Sequence, residues 1–244
     1  MGFINALNRT KRFEQICAAN KLSLNFKWNE SGFQVFESIF VKREYADYFP
    51  FYENATIIDI GAHYGYFSLF AAVNTDDAAR IFSFEPDSVN FQKLKQNVLD
   101  CKTNKIYAQQ CAVSARTGSI DLFKGSDINH SIIQEHSLLE NSSEKETVQS
   151  ISLDDLIVKN TISHVDFLKM DCEGAEYEIL FNTSGETLTK IKTISIEFHD
   201  LKSSSQNANT LIAHMRNFGF QVVKFMYEPS NYGLNYGKLI FTKA

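Results

Sequence analysis

The sequence predicts an α/β fold in which a doubly wound, mostly parallel sheet carries helices on both faces. From residue 55 onward, short aliphatic runs alternate with helical segments, which is the pattern of parallel strands joined by crossover helices. The first of these strands, Thr56 to Ile60, leads into a turn with Gly61 and Gly65 and then into an apolar helix. Ligands bind outside the carboxyl ends of such strands, so this edge of the sheet is expected to hold the functional site.

Residues 1–50 are predicted to form an N-terminal extension, or cap, and residues 51–244 the main domain. Apolar side chains recur at helical spacing over residues 3–20, which predicts an amphipathic helix. Leu22 to Trp28 alternates in polarity and predicts a strand, with Phe33 to Phe36 as the returning arm of a hairpin.

The main domain continues as an alternation of strands and helices. Its further predicted strands are residues 80–85, 106–113, 119–123, 164–170 and 193–199, then an antiparallel pair, 220–226 and 238–242. Further helices are predicted after Pro86 and over residues 153–157, 175–181 and 206–218.

One long polar stretch interrupts this alternation. Gly125 to Thr147 contains Ser, Asn, Glu and two histidines, and a loop of this length in a compact domain is either a functional lid or disordered. We therefore expect a mobile lid over the ligand pocket, with Asn129, His130 and Ser131 facing the ligand.

Composition excludes several classes of protein. The 244-residue chain has a formal net charge of −5, which argues against nucleic acid or an anionic membrane as a partner. No apolar run is long enough to span a membrane, and the first twenty residues lack a signal-peptide core. The four cysteines are scattered, so reduced thiols and a cytoplasmic location are the simplest interpretation.

The glycine turn has the form of a nucleotide-like ligand site. Asp59-x-Gly61-x-x-x-Gly65 differs from the dinucleotide pattern because His63 occupies the place of its second glycine. Such an acidic, wider turn is typical of S-adenosylmethionine (SAM) sites, although an ordinary tight turn between strand and helix would also fit. Glu85 ends the next strand, where a carboxylate accepts hydrogen bonds from ribose hydroxyls or is simply solvated.

A second cluster of polar residues follows two later strands. Lys169 carries a charge on a strand that is otherwise mostly apolar, and such a charge requires a partner. Glu197 and His199 share one face of the next strand, because alternate side chains point the same way. Either Lys169 and Glu197 form a buried ion pair across neighbouring strands, or these groups meet in an active site.

Five motifs occur in a fixed order along residues 55–200. They are Asp59-Ile60-Gly61-Ala62-x-x-Gly65, Phe84-Glu85-Pro86, Ala112-Val113-Ser114, Lys169-x-Asp171-x-Glu173-Gly174-x-Glu176 and Ile196-Glu197-Phe198-His199. This string closely resembles the FkbM-type SAM-dependent methyltransferases. The resemblance implies the seven-stranded class I methyltransferase fold and methyl transfer to an oxygen, often of a sugar, a glycan or a glycosylated small molecule.

The resemblance also implies which residues bind SAM. Asp59, Gly61, Ala62 and Gly65 would hold the methionine part, Glu85 with Pro86 the ribose, and Ala112 the surroundings of the adenine. His63 stands where family members commonly have Asn, so a backbone contact is expected there.

The expected chemistry lies with Asp171, Glu197 and His199. A hydroxyl is a poor nucleophile until a base removes its proton, and imidazole titrates near neutral pH, so His199 is the expected base. Asp171 or Glu197 would orient it. Alternatively, these three residues bind Mg²⁺ or Mn²⁺, because acidic groups that share one crevice repel each other unless a cation lies among them.

Two other functions compete with methyl transfer. One is a nicotinamide-dependent oxidoreductase on the same kind of sheet, and the other is a SAM-binding module without catalysis. His63 and the missing glycine count against the first of these.

Overall fold

The computed structural model describes residues 2–24, 30–123, 145–200, 203–228 and 236–243 and is built around a seven-stranded sheet. The strands along the chain are β1 (Thr56–Ile60), β2 (Arg80–Phe84), β3 (Ile106–Gln109), β4 (Ala112–Ser114), β5 (Gly118–Phe123), β6 (Lys145–Ser152), β7 (Val165–Met170), β8 (Ile191–His199), β9 (Gln221–Glu228) and β10 (Tyr236–Thr242). The helices are α1 (Gly2–Ala19), α2 (Glu30–Phe40), α3 (Tyr66–Val73), α4 (Ser88–Asp100), α5 (Leu153–Lys159), α6 (Glu176–Asn182), α7 (Gly185–Thr189) and α8 (Ala208–Arg216).

The large sheet has the strand order β3-β2-β1-β7-β8-β10-β9. The strands from β3 to β8 in this order are parallel to their neighbours, and β10 lies antiparallel between β8 and β9. The predicted doubly wound, mostly parallel sheet with an antiparallel closing pair is confirmed.

Both faces of the central strands are buried. Ile57 and Phe167 pack in a cluster with α1, α2 and α3 on one side of the sheet. Ile58 and Leu168 pack in a second cluster with α5, α6 and α8 on the other side. Because a strand covered on both faces has no solvent side, β1 and β7 are nearly continuous apolar runs, and their few polar residues must find partners inside the protein.

The chain between residues 106 and 113 forms two strands instead of the single predicted one. β3 ends at Gln109, whose carbonyl accepts a hydrogen bond from the N–H of Glu85 (3.2 Å), and the N–H of Cys111 then donates to the carbonyl of Glu85 (3.3 Å). This crossover takes β4 out of the large sheet and into a three-stranded sheet with β5 and β6. It also brings Ala112 close to the end of β2.

The predicted N-terminal hairpin is wrong. Phe33 to Phe36 belong to helix α2, and residues 22–24 form no strand, while residues 25–29 lie outside the described residues. Phe36 packs against Phe13 (ring centroids 4.7 Å apart) and Tyr66 (5.3 Å). Phe33, Phe36 and Phe40 recur at helical spacing, whereas the predicted hairpin arm ends at Phe36 and is too short to show this period.

The predicted lid is largely beyond the described part of the chain. Residues 124–144, which include Asn129, His130 and Ser131, lie outside the described residues, and residues 145–147 belong to β6 rather than to a loop. None of the described helices is both long and apolar enough to cross a membrane.

Candidate active site

A pocket of about 520 Å³ lies at the carboxyl ends of β1, β2, β7 and β8. Six of the eight predicted SAM-binding residues line it, together with Asp171 and Glu197. These six are Gly61, Ala62, His63, Glu85, Pro86 and Ala112. The wall is completed by Glu173, by residues of β10, and by the N-terminal segment from Gln34 to Tyr45. The site therefore lies at the edge of the sheet where the strand order predicts a ligand.

The glycine turn is pressed against the end of β7. Gly61 has a φ of +72°, and a Cβ placed on it would lie 1.8 Å from the carbonyl oxygen of Asp171. The N–H groups of Gly61 and Ala62 both donate to the carbonyl of Phe84, at 3.1 and 3.0 Å. Only glycine fits at position 61, and the turn is fixed to two neighbouring strands at once.

Glu85 is a buried carboxylate at the other side of this turn. Its Oε2 accepts a hydrogen bond from the N–H of His63 (2.7 Å), and its Oε1 accepts one from the N–H of Asp87 (3.0 Å). Burial raises the pKa of Glu85 to about 7, even though both hydrogen bonds favour the charged form. Each carboxylate oxygen can accept a second hydrogen bond, so Glu85 retains acceptor sites for a ligand.

Lys169 and Asp59 form a buried ion pair beneath the turn. Lys169 Nζ lies 3.2 Å from Asp59 Oδ1 and donates to the carbonyl of Gly61 at 2.6 Å. Burial disfavours the ammonium, but the carboxylates of Asp59 and Asp171 outweigh it and raise the pKa of Lys169. The partner of Lys169 is therefore Asp59 rather than Glu197.

Two predicted SAM-binding residues do not line the pocket. Asp59 is fully buried, and its Oδ2 accepts a hydrogen bond from Ser68 (2.6 Å), so it holds Lys169 instead of touching a ligand. Gly65 precedes α3 with a φ of +79°, and a Cβ on it would lie 3.0 Å from Leu94 Cγ. Its role is therefore close packing of the turn against α4.

A tight turn follows β7, and hydrogen bonds to the side chain of Glu176 hold its backbone in place. Glu176 is fully buried, and its Oε1 accepts hydrogen bonds from the N–H groups of Cys172 (3.1 Å) and Gly174 (3.2 Å). Glu173 within this turn has a left-handed φ of +52°. The turn carries Asp171 and Glu173 to the wall of the pocket.

His199 lies behind this turn and is outside the pocket lining. Its Nε2 is 3.3 Å from Glu173 Oε2, and its Nδ1 is 3.6 Å from Glu176 Oε1. Burial lowers the pKa of His199, but the carboxylates of Glu176, Glu173 and Glu197 outweigh burial and raise it to about 10. At neutral pH the ring is an imidazolium, which can hold the turn but cannot accept a proton.

Asp171 and Glu197 both face the pocket. Burial, followed by the charge of Asp171, raises the pKa of Glu197 to about 8. No three His, Cys, Asp or Glu residues in the described part of the chain are arranged to hold a metal ion. The set of Asp171, Glu197 and His199 does not fit Mg²⁺ or Mn²⁺, because His199 is occupied by Glu173 and Glu176.

The sequence motifs missed one side of the pocket. Lys238 of β10 lies directly opposite Glu197 in the strand register, with its Nζ 3.9 Å from Glu197 Oε2. It also forms an ion pair with Glu44, which accepts a hydrogen bond from Ser38. No motif marks these residues, and the predicted antiparallel pair of residues 220–226 and 238–242 did not place Lys238 beside β8.

The strand order and the acid-glycine turn define a class I SAM-dependent methyltransferase. The model of the methyltransferase FkbM domain matches residues 59–222, which is more than half of the chain. The chain therefore belongs to the FkbM methyltransferase family. This assignment selects methyl transfer over the nicotinamide-dependent oxidoreductase and the SAM-binding module without catalysis.

Individual relatives agree with the family model. Methyltransferase 1 of Beauveria bassiana (strain ARSEF 2860) is 25% identical, and the match covers 73% of this chain and 78% of that protein. Methyltransferase sdnD of Sordaria araneosa is 27% identical over 59% of this chain and 66% of that protein. The structure of the methyltransferase FkbM from Methylobacillus flagellatus KT has the same fold, with a TM-score of 0.51, 15% identity and coverage of 97% of this chain and 60% of that one.

Removing Lys169 from the buried ion pair should destabilise the fold more than removing Asp59. Lys169→Met leaves Asp59 charged and fully buried, so we expect a loss of about 3–5 kcal/mol in the free energy of unfolding, measured by urea denaturation. Asp59→Asn should cost less, because Lys169 keeps the carboxylate of Asp171 at 3.9 Å. The double variant should be more stable than Lys169→Met alone.

The matched control is Lys145→Met, which removes a half-exposed lysine paired with Asp121. It should cost less than about 1 kcal/mol. Equal losses in Lys169→Met and Lys145→Met would contradict a structural role for the buried pair.

The stability that His199 contributes should decrease at alkaline pH. Because the folded pKa of about 10 is above the ordinary value of 6.5, the contribution is complete below pH 6.5 and is lost as the pH rises through 10. The stability difference between wild type and His199→Gln should therefore shrink between pH 6.5 and 10 in urea titrations. His164→Gln, at a histidine whose side chain is 57% exposed, is the control. A difference that stays constant with pH would exclude the imidazolium assignment.

Proposed function

We propose that this methyltransferase transfers the methyl group of SAM to a hydroxyl oxygen of a sugar, a glycan or another small molecule. The observation that carries the proposal is the different chemistry of the two ends of the pocket. The glycine turn and Glu85 form one end, whereas Glu197, Lys238 and the N-terminal segment form the other. The acidic chain argues against nucleic acid as the acceptor.

The residues at the first end fit SAM. Glu85 is buried in the wall and retains an acceptor site on each oxygen, which suits the two hydroxyls of the ribose. The backbone of Gly61, Ala62 and His63 would border the methionine part, and Pro86 the ribose. Ala112 would border the adenine. Asp59 and Gly65 would act indirectly, by fixing the position of the turn.

The other end would receive the acceptor. Ser38, Glu44, Tyr45 and Lys238 offer both donors and acceptors of hydrogen bonds, which is what a molecule with several hydroxyl groups needs. Three of these four residues belong to residues 1–50, so we assign the N-terminal extension to the acceptor side. A cytoplasmic location stays a prediction, consistent with four cysteines that form no disulfide.

Glu197 is our proposed proton acceptor. When bound, SAM supplies an electrophilic methyl group on a sulfonium, which leaves as a thioether. The acceptor hydroxyl must lose its proton as its oxygen bonds to this methyl group, and Glu197 would take that proton. A carboxylate with a pKa of about 8 is a stronger base than an ordinary one, and Glu197 faces the pocket. His199 would position the turn that carries Asp171, because its ring is already protonated.

Glu85→Gln should weaken SAM binding. The amide presents N–H₂ where one carboxylate oxygen accepted a ribose hydroxyl, and the hydrogen bonds lost involve a charged group. We expect the Kd for SAM, measured by calorimetry, to rise by roughly one to two powers of ten. Glu178→Gln, on the exposed side of α6, is the matched control and should bind SAM normally. An unchanged Kd in Glu85→Gln would rule out the ribose assignment.

Glu197→Gln should abolish most turnover while SAM affinity stays normal. Mass spectrometry of a panel of mono- and oligosaccharides incubated with SAM identifies the acceptor, and kcat is then measured on the best one. Loss of the general base should lower kcat by roughly 10²- to 10⁴-fold. Wild-type kcat/KM should rise with pH through about 8, because the carboxylate must be ionised to accept the proton.

Two results would argue against this assignment. Normal turnover in Glu197→Gln would remove Glu197 from the chemistry. A loss confined to His199→Gln would return the role of base to His199. Glu178→Gln should retain wild-type turnover here as well.

A further inference from the structure

Tyr45 is a pocket residue whose hydroxyl has no hydrogen-bond partner among the described residues. It lines the pocket, is 5% exposed, and lies outside residues 59–222 that match the family model. Across the described ranges of the chain, its hydroxyl makes no hydrogen bond to another residue. The hydroxyl of a largely buried tyrosine normally has a partner, and Tyr45 lines the pocket, so a ligand there is the available candidate.

The ring of Tyr45 is held in place from two sides. It meets the ring of Phe67 edge-on, with centroids 4.9 Å apart. Lys238 Nζ lies 4.5 Å from its centroid, within the range of a cation–π contact, and is itself paired with Glu44. The hydroxyl therefore has a fixed position before any ligand binds.

The surroundings of Tyr45 keep its hydroxyl protonated. Burial and the charges of Asp171, Glu197 and Asp59 together raise the pKa of Tyr45 well above its ordinary value. The hydroxyl thus remains an O–H donor at every pH at which the enzyme would work. An O–H donor requires an acceptor, and an oxygen of a ligand can supply one.

We propose that the Tyr45 hydroxyl donates a hydrogen bond to an oxygen of a ligand bound in this pocket. This inference rests on the proposed function, in which two ligands share the pocket and both offer such an oxygen. One is the methionine carboxylate of SAM, and the other is a hydroxyl of the acceptor. Tyr45 is accordingly a ligand-binding residue contributed by the N-terminal extension.

The test is Tyr45→Phe, which removes the hydroxyl and keeps the ring that contacts Phe67 and Lys238. The matched control is Tyr177→Phe. In the described part of the chain the Tyr177 hydroxyl likewise has no hydrogen-bond partner, but it is fully buried and Tyr177 does not line the pocket. Both variants are titrated with SAM in a calorimeter and assayed on the saccharide that wild type methylates best.

In Tyr45→Phe, either the affinity for SAM or the kcat/KM for the saccharide should fall roughly 5-fold or more, because the ligand oxygen loses a hydrogen-bond donor. Weaker SAM binding identifies the SAM carboxylate as the group that accepts the hydrogen bond from Tyr45. Normal SAM binding with a lower kcat/KM for the saccharide identifies a hydroxyl of the saccharide instead. Tyr177→Phe should match wild type in both measurements.

The inference fails if Tyr45→Phe matches Tyr177→Phe in SAM affinity and in kcat/KM. If wild type methylates no saccharide, the proposed acceptor class is wrong, and the SAM titration alone then decides the role of Tyr45. Equal melting temperatures of the two variants confirm that any difference does not come from unfolding.

Discussion

The buried ion pair between Lys169 and Asp59 is the interaction on which the site depends. These residues are direct neighbours in the register of β7 and β1, at the centre of the sheet. A pair of apolar side chains could fill the same space, often at no cost in stability. Apolar side chains could not hold the carbonyl of Gly61, which accepts a hydrogen bond from Lys169. The pair is therefore best understood as a device that fixes the turn rather than as a source of stability.

Fixing this turn also fixes the position of Asp171 relative to Glu85. Gly61 touches the backbone of Asp171, and its N–H donates to the end of β2, just before Glu85. A ligand that bound to Glu85, as we propose for SAM, would therefore lie at a constant distance from Asp171. Methyl transfer benefits from such placement, because a misplacement of the reacting atoms by about 1 Å can lower the rate roughly 10²-fold.

The sequence predicted the sheet and several of the residues that line the pocket near the glycine turn, because both depend on local patterns. Buried parallel strands appear as apolar runs, and a glycine turn is visible from its spacing. The roles of Asp59, Gly65 and His199 were harder, because each depends on which residue lies beside it in space. His199 shows this most clearly. The sequence predicted the face of β8 on which His199 lies. It did not predict that Glu173 and Glu176 contact this ring, because no pattern indicated the left-handed conformation of the turn that carries Glu173. Helix α2 was missed because Phe33 to Phe36 alone is too short a segment to show a helical period.

The distribution of charge explains why several carboxylates can share this pocket. Asp171, Glu173 and Glu197 would repel one another, and the sequence suggested a metal ion as the remedy. The protein instead supplies its own cations. The imidazolium of His199 lies 3.3 Å from Glu173, and the ammonium of Lys169 lies 3.9 Å from Asp171. Glu197 is the carboxylate left with the weakest compensation, since Lys238 is shared with Glu44. A carboxylate that is not fully compensated has a raised pKa and binds a proton readily, which is the property a general base requires.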